Sequence, residues 1–335
     1  MKILFDHRLP FQLAHGGIQL QIEQTKTALE SDGVQVEWLR WWDAQQTGDL
    51  IHYFGRPAAD YFDLAHRKGI KVVMSELLST QGSRTPGQLM RQRLLNQFLR
   101  RFAPANFIAA ARWDAYRMAD VIIANTPVEA RLMQDLFAAP PEKIELVGNG
   151  VEPEFFAAPP ASRGEWLVCT ATITERKRVL ELAHAAVRAQ TPVWILGQPY
   201  GERDAYYQSF LAVAEKNPTF IRYTGPVNDR AQLATIYRQA RGFVLLSAME
   251  TLSFSALEAA TCECALLLSD LPWARSTFGD HANYCPIASP EKTAEVLKKF
   301  YVAASNLPAP PKPPTWNEIA EQLKQIYARA LSTSA

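Results

Sequence analysis

Twelve short runs rich in β-branched and aromatic residues alternate with longer helical patterns along the 335 residues. In the first half the runs are KILFD (2–6), VQVEWL (34–39), LIHYF (50–54), IKVVMS (70–75), VIIA (121–124) and KIELV (143–147). In the second half they are WLVCT (166–170), PVWIL (192–196), FIRYTG (220–225), GFVLLS (242–247), ALLLS (265–269) and ANYC (282–285). Most are continuously apolar rather than alternating, which suits parallel strands covered on both faces. Helical patterns fill the gaps at 18–31, 127–137, 178–189, 202–216, 230–240, 253–263 and 290–304. Strand–helix alternation predicts an α/β architecture of doubly wound parallel sheets. A chain of this length suggests about two domains.

The seam between them is expected at 148–164, where GNGVEPEFFAAPPASRG gathers Gly and Pro without periodicity. The domains then run over 1–155 and 156–310. A second linker, LPAPPKPP (307–314), is too proline-rich for a helix. A last helix follows over 315–335. Thr315 and Glu318 make a capping box, and Trp316, Ile319, Leu323 and Ile326 share one apolar face. No internal repeat is visible.

Charge excludes one function class. Thirty-five Lys and Arg balance 34 Asp and Glu, so the chain is not built around the global field of a nucleic-acid binder. The start, MKILFDHRLPF, has an apolar run too short for a signal peptide. No apolar stretch reaches the roughly 18 residues of a membrane span. Cys169, Cys262, Cys264 and Cys285 read as buried thiols of a reducing cytoplasm. Histidines 7, 15, 52, 66, 184 and 281 show no metal-ligand spacing, and no D-x-D pair occurs. Neither a metal nor a cofactor is expected.

Three constellations can carry chemistry. In HGGIQ (15–19), Gly16 and Gly17 precede the first helix. They allow close backbone approach, and a helix N-terminus favours anions; a loop that merely needs glycine is the alternative. In TATITERKRVLEL (170–182), Thr172 to Arg178 follow a strand, and Arg176, Lys177 and Arg178 are consecutive cations. They suit a diphosphate, or else form a solvated cluster at a helix start. In AMETLSFSALEAATCECALLLSDLPW (248–273), Glu250 ends a strand, Ser253 or Thr251 caps the next helix, and Glu258 lies inside it. A carboxylate can accept two hydroxyls of a sugar or ribose, while the N–H groups of Leu252, Ser253 and Phe254 suit phosphate oxygens. The alternative is a helix start whose acids simply complement its dipole.

Glu250 and Glu258, with seven residues between them, resemble the E-x7-E signature of retaining glycosyltransferases of the GT-B fold. The chain resembles glycosyltransferase family 4 (glycosyl transferases group 1) over nearly its full length. The GG pair, ADVIIANTP (119–127), IELVGNGVEPEFF (144–156), the Lys-bearing loop, E-x7-E and SDLPWARSTFGDHANYC (269–285) stand in that family's order.

The resemblance implies two Rossmann-like domains, the first for the acceptor and the second for a nucleotide-sugar donor, with the last helix returning to the first domain. It implies that Gly16 and Gly17 approach the donor diphosphate and that Lys177 clamps it. Glu250 would contact the donor sugar and Glu258 the ribose, with Leu252 and Ser253 lending main chain. The implied reaction is retaining, metal-independent front-face transfer, in which the leaving phosphate takes the acceptor proton. Two departures stand out. Relatives usually carry G-R where this chain has Ala171 and Thr172, so either Arg176 replaces the missing cation from along the loop or donor affinity is weak. Relatives often have a His after the fourth strand, where this chain reads MSELLSTQ (74–81) with Glu76 its one ionisable group. A catalytically impaired sugar-nucleotide-binding protein is therefore the alternative. Acceptors in the family are glycans, lipid-linked sugars or small molecules.

Residues 84–101 hold five Arg and no acid, with Leu89, Leu94, Leu95, Phe98, Leu99 and Phe102 as an apolar face. Over 84–102 this segment is either a peripheral contact with the inner face of a membrane or a surface helix with its apolar side on the core.

Overall fold

The computed structural model describes all residues except 9, 12–15, 158, 160, 288 and 333–335. The chain divides into two compact units, Met1–Gly150 with Pro314–Ala335, and Val151–Pro313.

The first unit runs β1 (Lys2–His7), α1 (Gly17–Ser31), β2 (Gln35–Trp38), β3 (Leu50–Phe54), α2 (Ala59–Arg67), β4 (Lys71–Ser75), α3 (Ser79–Gly82), α4 (Pro86–Phe102), α5 (Ala105–Ala111), α6 (Ala115–Met118), β5 (Val121–Ala124), α7 (Pro127–Phe137) and β6 (Ile144–Leu146). Its strands form one sheet in the order β2-β1-β3-β4-β5-β6, parallel throughout. Every residue of β3 is buried, as a run without alternation requires. ADVIIANTP gains a physical account here. Thr126 caps α7 by accepting from the Glu129 N–H at 3.2 Å. Glu129 then turns its carboxylate back to accept from the N–H groups of Leu78, at 2.7 Å, and Asn125, at 3.0 Å. The loop after β4 is thereby pinned to α7.

The second unit runs α8 (Pro153–Ala157), β7 (Leu167–Thr170), α9 (Val179–Ala189), β8 (Val193–Leu196), α10 (Ala205–Lys216), β9 (Ile221–Tyr223), α11 (Arg230–Gln239), β10 (Gly242–Leu245), α12 (Phe254–Thr261), β11 (Leu266–Ser269), α13 (Pro272–Phe278), β12 (Asn283–Cys285) and α14 (Pro290–Ala303). Its sheet order is β12-β11-β10-β7-β8-β9, again parallel. Val151 and Phe155 belong to this unit's core, so the chain changes unit at Gly150. Gly197 has φ +146, and a Cβ there would meet the Ala171 carbonyl oxygen at 1.9 Å; only glycine lets β8 end this close to β7.

The final helix, α15 (Trp316–Ser332), belongs to the first unit and packs along α1. A Cβ on Gly150 would meet the Trp316 backbone nitrogen at 2.5 Å, so the helix start needs glycine beneath it. Lys324 reaches Asp32 at 2.6 Å and Arg329 reaches Glu145 at 2.7 Å. Tyr327 is fully buried, and its hydroxyl lies 2.6 Å from His52 Nδ1.

α4 turns most of its apolar side outward, while Leu89 packs against the core. Leu94, Leu95, Phe98 and Phe102 are between 54% and 65% exposed, while Asn96 is buried and donates to the Leu136 carbonyl at 2.9 Å. The helix is anchored through an amide on the side opposite its aromatic residues. Among the described residues, no helix is long and apolar enough to cross a membrane.

Candidate active site

In the second unit the strand order reverses between β7 and β10. Open α/β sheets place ligands at such a switch point, beyond the carboxyl ends of the strands. The loop after β7 and the turn after β10 are stitched together there. Ala248 N–H donates to the Arg176 carbonyl at 2.8 Å, and the Ser247 hydroxyl donates to it at 3.3 Å. Thr174 caps a single turn over Glu175–Lys177, accepting from the Lys177 N–H at 3.4 Å. Arg178 closes that turn with φ 54.

This local geometry brings Arg176, Lys177 and Glu250 together. Lys177 Nζ lies 2.5 Å from Glu250 Oε1, with both side chains nearly buried. Arg176 Nη1 reaches the same oxygen at 3.3 Å and the Met249 carbonyl at 2.7 Å. Arg176 is therefore held at the strand end rather than trailing into solvent. Thr172 sits just beyond β7, half-buried. Leu252 packs against the core. Ser253 is buried and caps α12 through the Ala256 N–H at 3.4 Å. Its hydroxyl is occupied by that cap, which leaves main chain as its offer to a ligand.

Glu258 lies apart from the Lys177–Glu250 pair, on the buried side of α12. Arg230 Nη2 donates to its Oε1 at 2.5 Å, and the Tyr237 hydroxyl donates to its Oε2 at 3.3 Å. The same Arg230 nitrogen reaches Glu152 at 3.0 Å, and its guanidinium lies 4.7 Å above the Phe155 ring. Burial raises the pKa of Glu258 above the ordinary carboxylate range, and Arg230 opposes that rise. Burial works against the charge of Arg230 too, but Glu258 and Glu152 hold its pKa above the usual value. Glu152 and Phe155 come from IELVGNGVEPEFF, so that motif's contribution here is to seat Arg230. In the sequence Arg230 is only the first residue of the helical pattern 230–240; its pairing with a carboxylate 28 residues on has no local signal.

The glycine loop belongs to the first unit. Gly16 is the N-cap of α1 with φ 137 and ψ −151, a region open only to glycine. Its carbonyl accepts the first helical bond, from the Leu20 N–H at 3.1 Å. Gly17 starts the helix. His15 lies outside the described residues. Glu76, after β4, is engaged rather than open. Arg56 donates to both of its oxygens, from Nε at 3.1 and 2.9 Å, and the Tyr116 hydroxyl donates as well.

The four cysteines are free and buried. Burial pushes the Cys169 and Cys262 thiols up to about 12 and that of Cys264 to about 11, so none supplies a thiolate nucleophile. Among the described residues, no three His, Cys, Asp or Glu side chains gather as a metal site.

Two parallel sheets of this kind, with two cations and a carboxylate at one switch point, define a GT-B glycosyltransferase architecture. Residues 35–155 match the model of Glycosyltransferase Family 4, and residues 164–302 match that of Glycosyl transferases group 1. The chain belongs to glycosyltransferase family 4. It is 25% identical over 248 residues to the D-inositol 3-phosphate glycosyltransferase of Streptosporangium roseum, a match that takes in 64% of this chain and 56% of that relative. Among solved structures it resembles the sucrose-phosphate synthase of Thermosynechococcus elongatus, with TM-score 0.69, 16% identity and full coverage of both chains. HepE of Anabaena in complex with UDP is similar with TM-score 0.62 and 13% identity, over 98% of this chain and all of HepE.

Proposed function

We propose that this chain transfers a sugar from a nucleoside-diphosphate sugar to an acceptor hydroxyl, with retention and without a metal ion. The convergence of Lys177 and Arg176 on Glu250 at the β7–β10 switch point carries this reading. The solved complexes of HepE with UDP and with UDP-glucose support a nucleotide-sugar donor.

The donor diphosphate takes the place at Lys177 and Arg176, helped by the main chain of Leu252 and Ser253. Thr172 lines the same donor. Glu250 accepts hydrogen bonds from the transferred sugar, and Glu258 accepts them from the ribose. In the transfer step the bond between the anomeric carbon and the diphosphate oxygen breaks. The acceptor oxygen bonds to the same face of that carbon, and its proton passes to the leaving phosphate. Negative charge grows on the diphosphate, which is where fixed cations are worth most. Lys177 and Arg176 supply that charge from the protein.

The acceptor is a glycan, a lipid-linked sugar or a small molecule. The outward apolar face of α4, interleaved with Arg91, Arg93, Arg100 and Arg101, rests on an anionic membrane surface. Four buried free thiols fit a reducing compartment, which supports a contact on the cytoplasmic side.

A thermal-shift screen of UDP-, GDP- and ADP-sugars, followed by turnover with a broad acceptor panel, tests the reading. One donor should raise the melting temperature, and product NMR should show retained anomeric configuration in chelator-treated protein. Donor binding without any turnover would favour a sugar-nucleotide-binding protein instead.

A further inference from the structure

A second charged cavity lies wholly within the first unit, and the donor reading leaves it unassigned. It has a volume of about 570 Å³ and opens at the ends of β1, β3 and β4. The order of this sheet reverses between β1 and β3, so the cavity occupies the switch-point crevice of its own sheet. Its size falls in the range of roughly 300–1,000 Å³ usual for small-molecule sites. The charged side chains on its lining are His7, Arg8, Arg56, Arg112 and Glu76.

The three arginines are not equivalent. Arg56 spends its charge on Glu76, with Nη2 at 2.8 Å from Oε1, and lies 4.9 Å above the Tyr116 ring and 4.5 Å above Phe137. Glu76 is saturated by Arg56 and Tyr116. That pair is a self-neutralised wall. Arg112 donates to the Arg56 carbonyl at 3.0 Å and, like Arg8, forms no ion pair among the described residues. Asp6, in β1, accepts from the Tyr61 hydroxyl at 2.6 Å instead. Arg112 also has φ 54 and ψ 33 at the end of α5. The crevice thus carries, beside the Arg56–Glu76 pair, two guanidinium groups that form no ion pair among the described residues.

A partly enclosed cationic crevice concentrates anions, and guanidinium forks match the oxygens of phosphate and carboxylate. We propose that this cavity receives the acceptor, and that the acceptor is an anionic sugar or polyol whose phosphate or carboxylate is read by Arg8 and Arg112. The proposal rests on the glycosyl-transfer reading for the word acceptor; the anion site itself does not. The donor's own diphosphate is the other source of such an anion, and the test separates the two.

Calorimetry on the full chain would use glucose 6-phosphate, glucuronate and inositol phosphate, their neutral parents glucose and inositol, and UDP and GDP. At least one anionic compound should bind about tenfold or more tightly than its neutral parent. Arg112→Gln and the more exposed Arg8→Gln should each weaken that compound by about tenfold or more, with nucleotide affinity kept within about twofold. Equal binding of charged and neutral compounds would overturn the proposal, as would no binding of any anionic compound. An equal loss of UDP or GDP affinity in the variants would assign the arginines to the donor and overturn it as well. If anionic sugars bind through these arginines yet no donor supports transfer, the transfer reading fails and the anion site stands.

Discussion

Lys177 sets its ammonium 2.5 Å from a carboxylate oxygen of Glu250, 73 positions later in the chain. A strand-end turn and a capped loop bring them together, and Arg176 meets the same oxygen. Without Glu250, the two cations would repel each other at the strand end. With it, they are held at fixed positions that a diphosphate can use.

Removal of Lys177 should therefore affect chemistry more than binding. Lys177→Ala should lower turnover about 10²–10³-fold, with a smaller loss of nucleotide affinity, because the charge on the leaving group is greatest in the transition state. Steady-state kinetics beside calorimetry checks this. Turnover near wild type would remove Lys177 from the mechanism.

Arg230 should control the protonation of Glu258. Burial already raises that carboxyl's pKa, and Arg230 opposes the rise. Arg230→Met removes the opposition, so the pKa should climb further. A protonated Glu258 loses acceptor capacity for ribose hydroxyls. Nucleotide affinity of the variant should fall as pH is lowered, starting at a higher pH than in the wild type. Superimposable pH profiles would show that Arg230 does not act through Glu258.

His52 should set the acid limit of the first unit. Burial pushes its pKa down to about 3, and its ring nitrogens lie 2.6 Å from the Tyr327 hydroxyl and 2.7 Å from the Ser75 hydroxyl. Unfolded, the imidazole binds a proton below about pH 6.5; folded, it stays neutral. Stability is therefore full above that pH and is lost progressively as pH falls toward 3, by on the order of 3–5 kcal/mol from this group. Thermal melts between pH 8 and 4 should fall more steeply for the wild type than for His52→Gln. Equal slopes would contradict this assignment.

The α4 face gives a separable test. Phe98→Ser with Phe102→Ser should abolish co-sedimentation with phosphatidylglycerol vesicles while leaving the melting temperature within about 2 °C, since both rings are exposed. Unchanged vesicle binding would mean that α4 does not dock.

Much of this fold is legible in the sequence because buried parallel strands announce themselves as continuous apolar runs. All twelve runs hold strands of the structure, with every end within two residues. The short helices α2, α5, α6 and α13 are harder to read, because seven to nine residues or fewer give too little periodicity. At the site, the loop cations and the paired carboxylates are visible as local patterns. Their partners are not. Glu76 stands alone in its loop by sequence, yet Arg56 and Tyr116, 20 and 40 positions away, saturate it. The direction in which α4 faces is likewise set by Asn96 reaching Leu136, which no single-helix pattern contains.

The central claim is that Glu250 serves the transferred sugar and Glu258 the ribose. Calorimetry with the free nucleoside diphosphate, on Glu250→Gln and Glu258→Gln, tests it most directly. Glu258→Gln should weaken the nucleotide by about 1.5–3 kcal/mol, because the free nucleotide still carries the ribose. Glu250→Gln should leave that affinity nearly unchanged and lower turnover instead. Equal losses in both variants, or no loss in either with activity intact, would contradict the assignment.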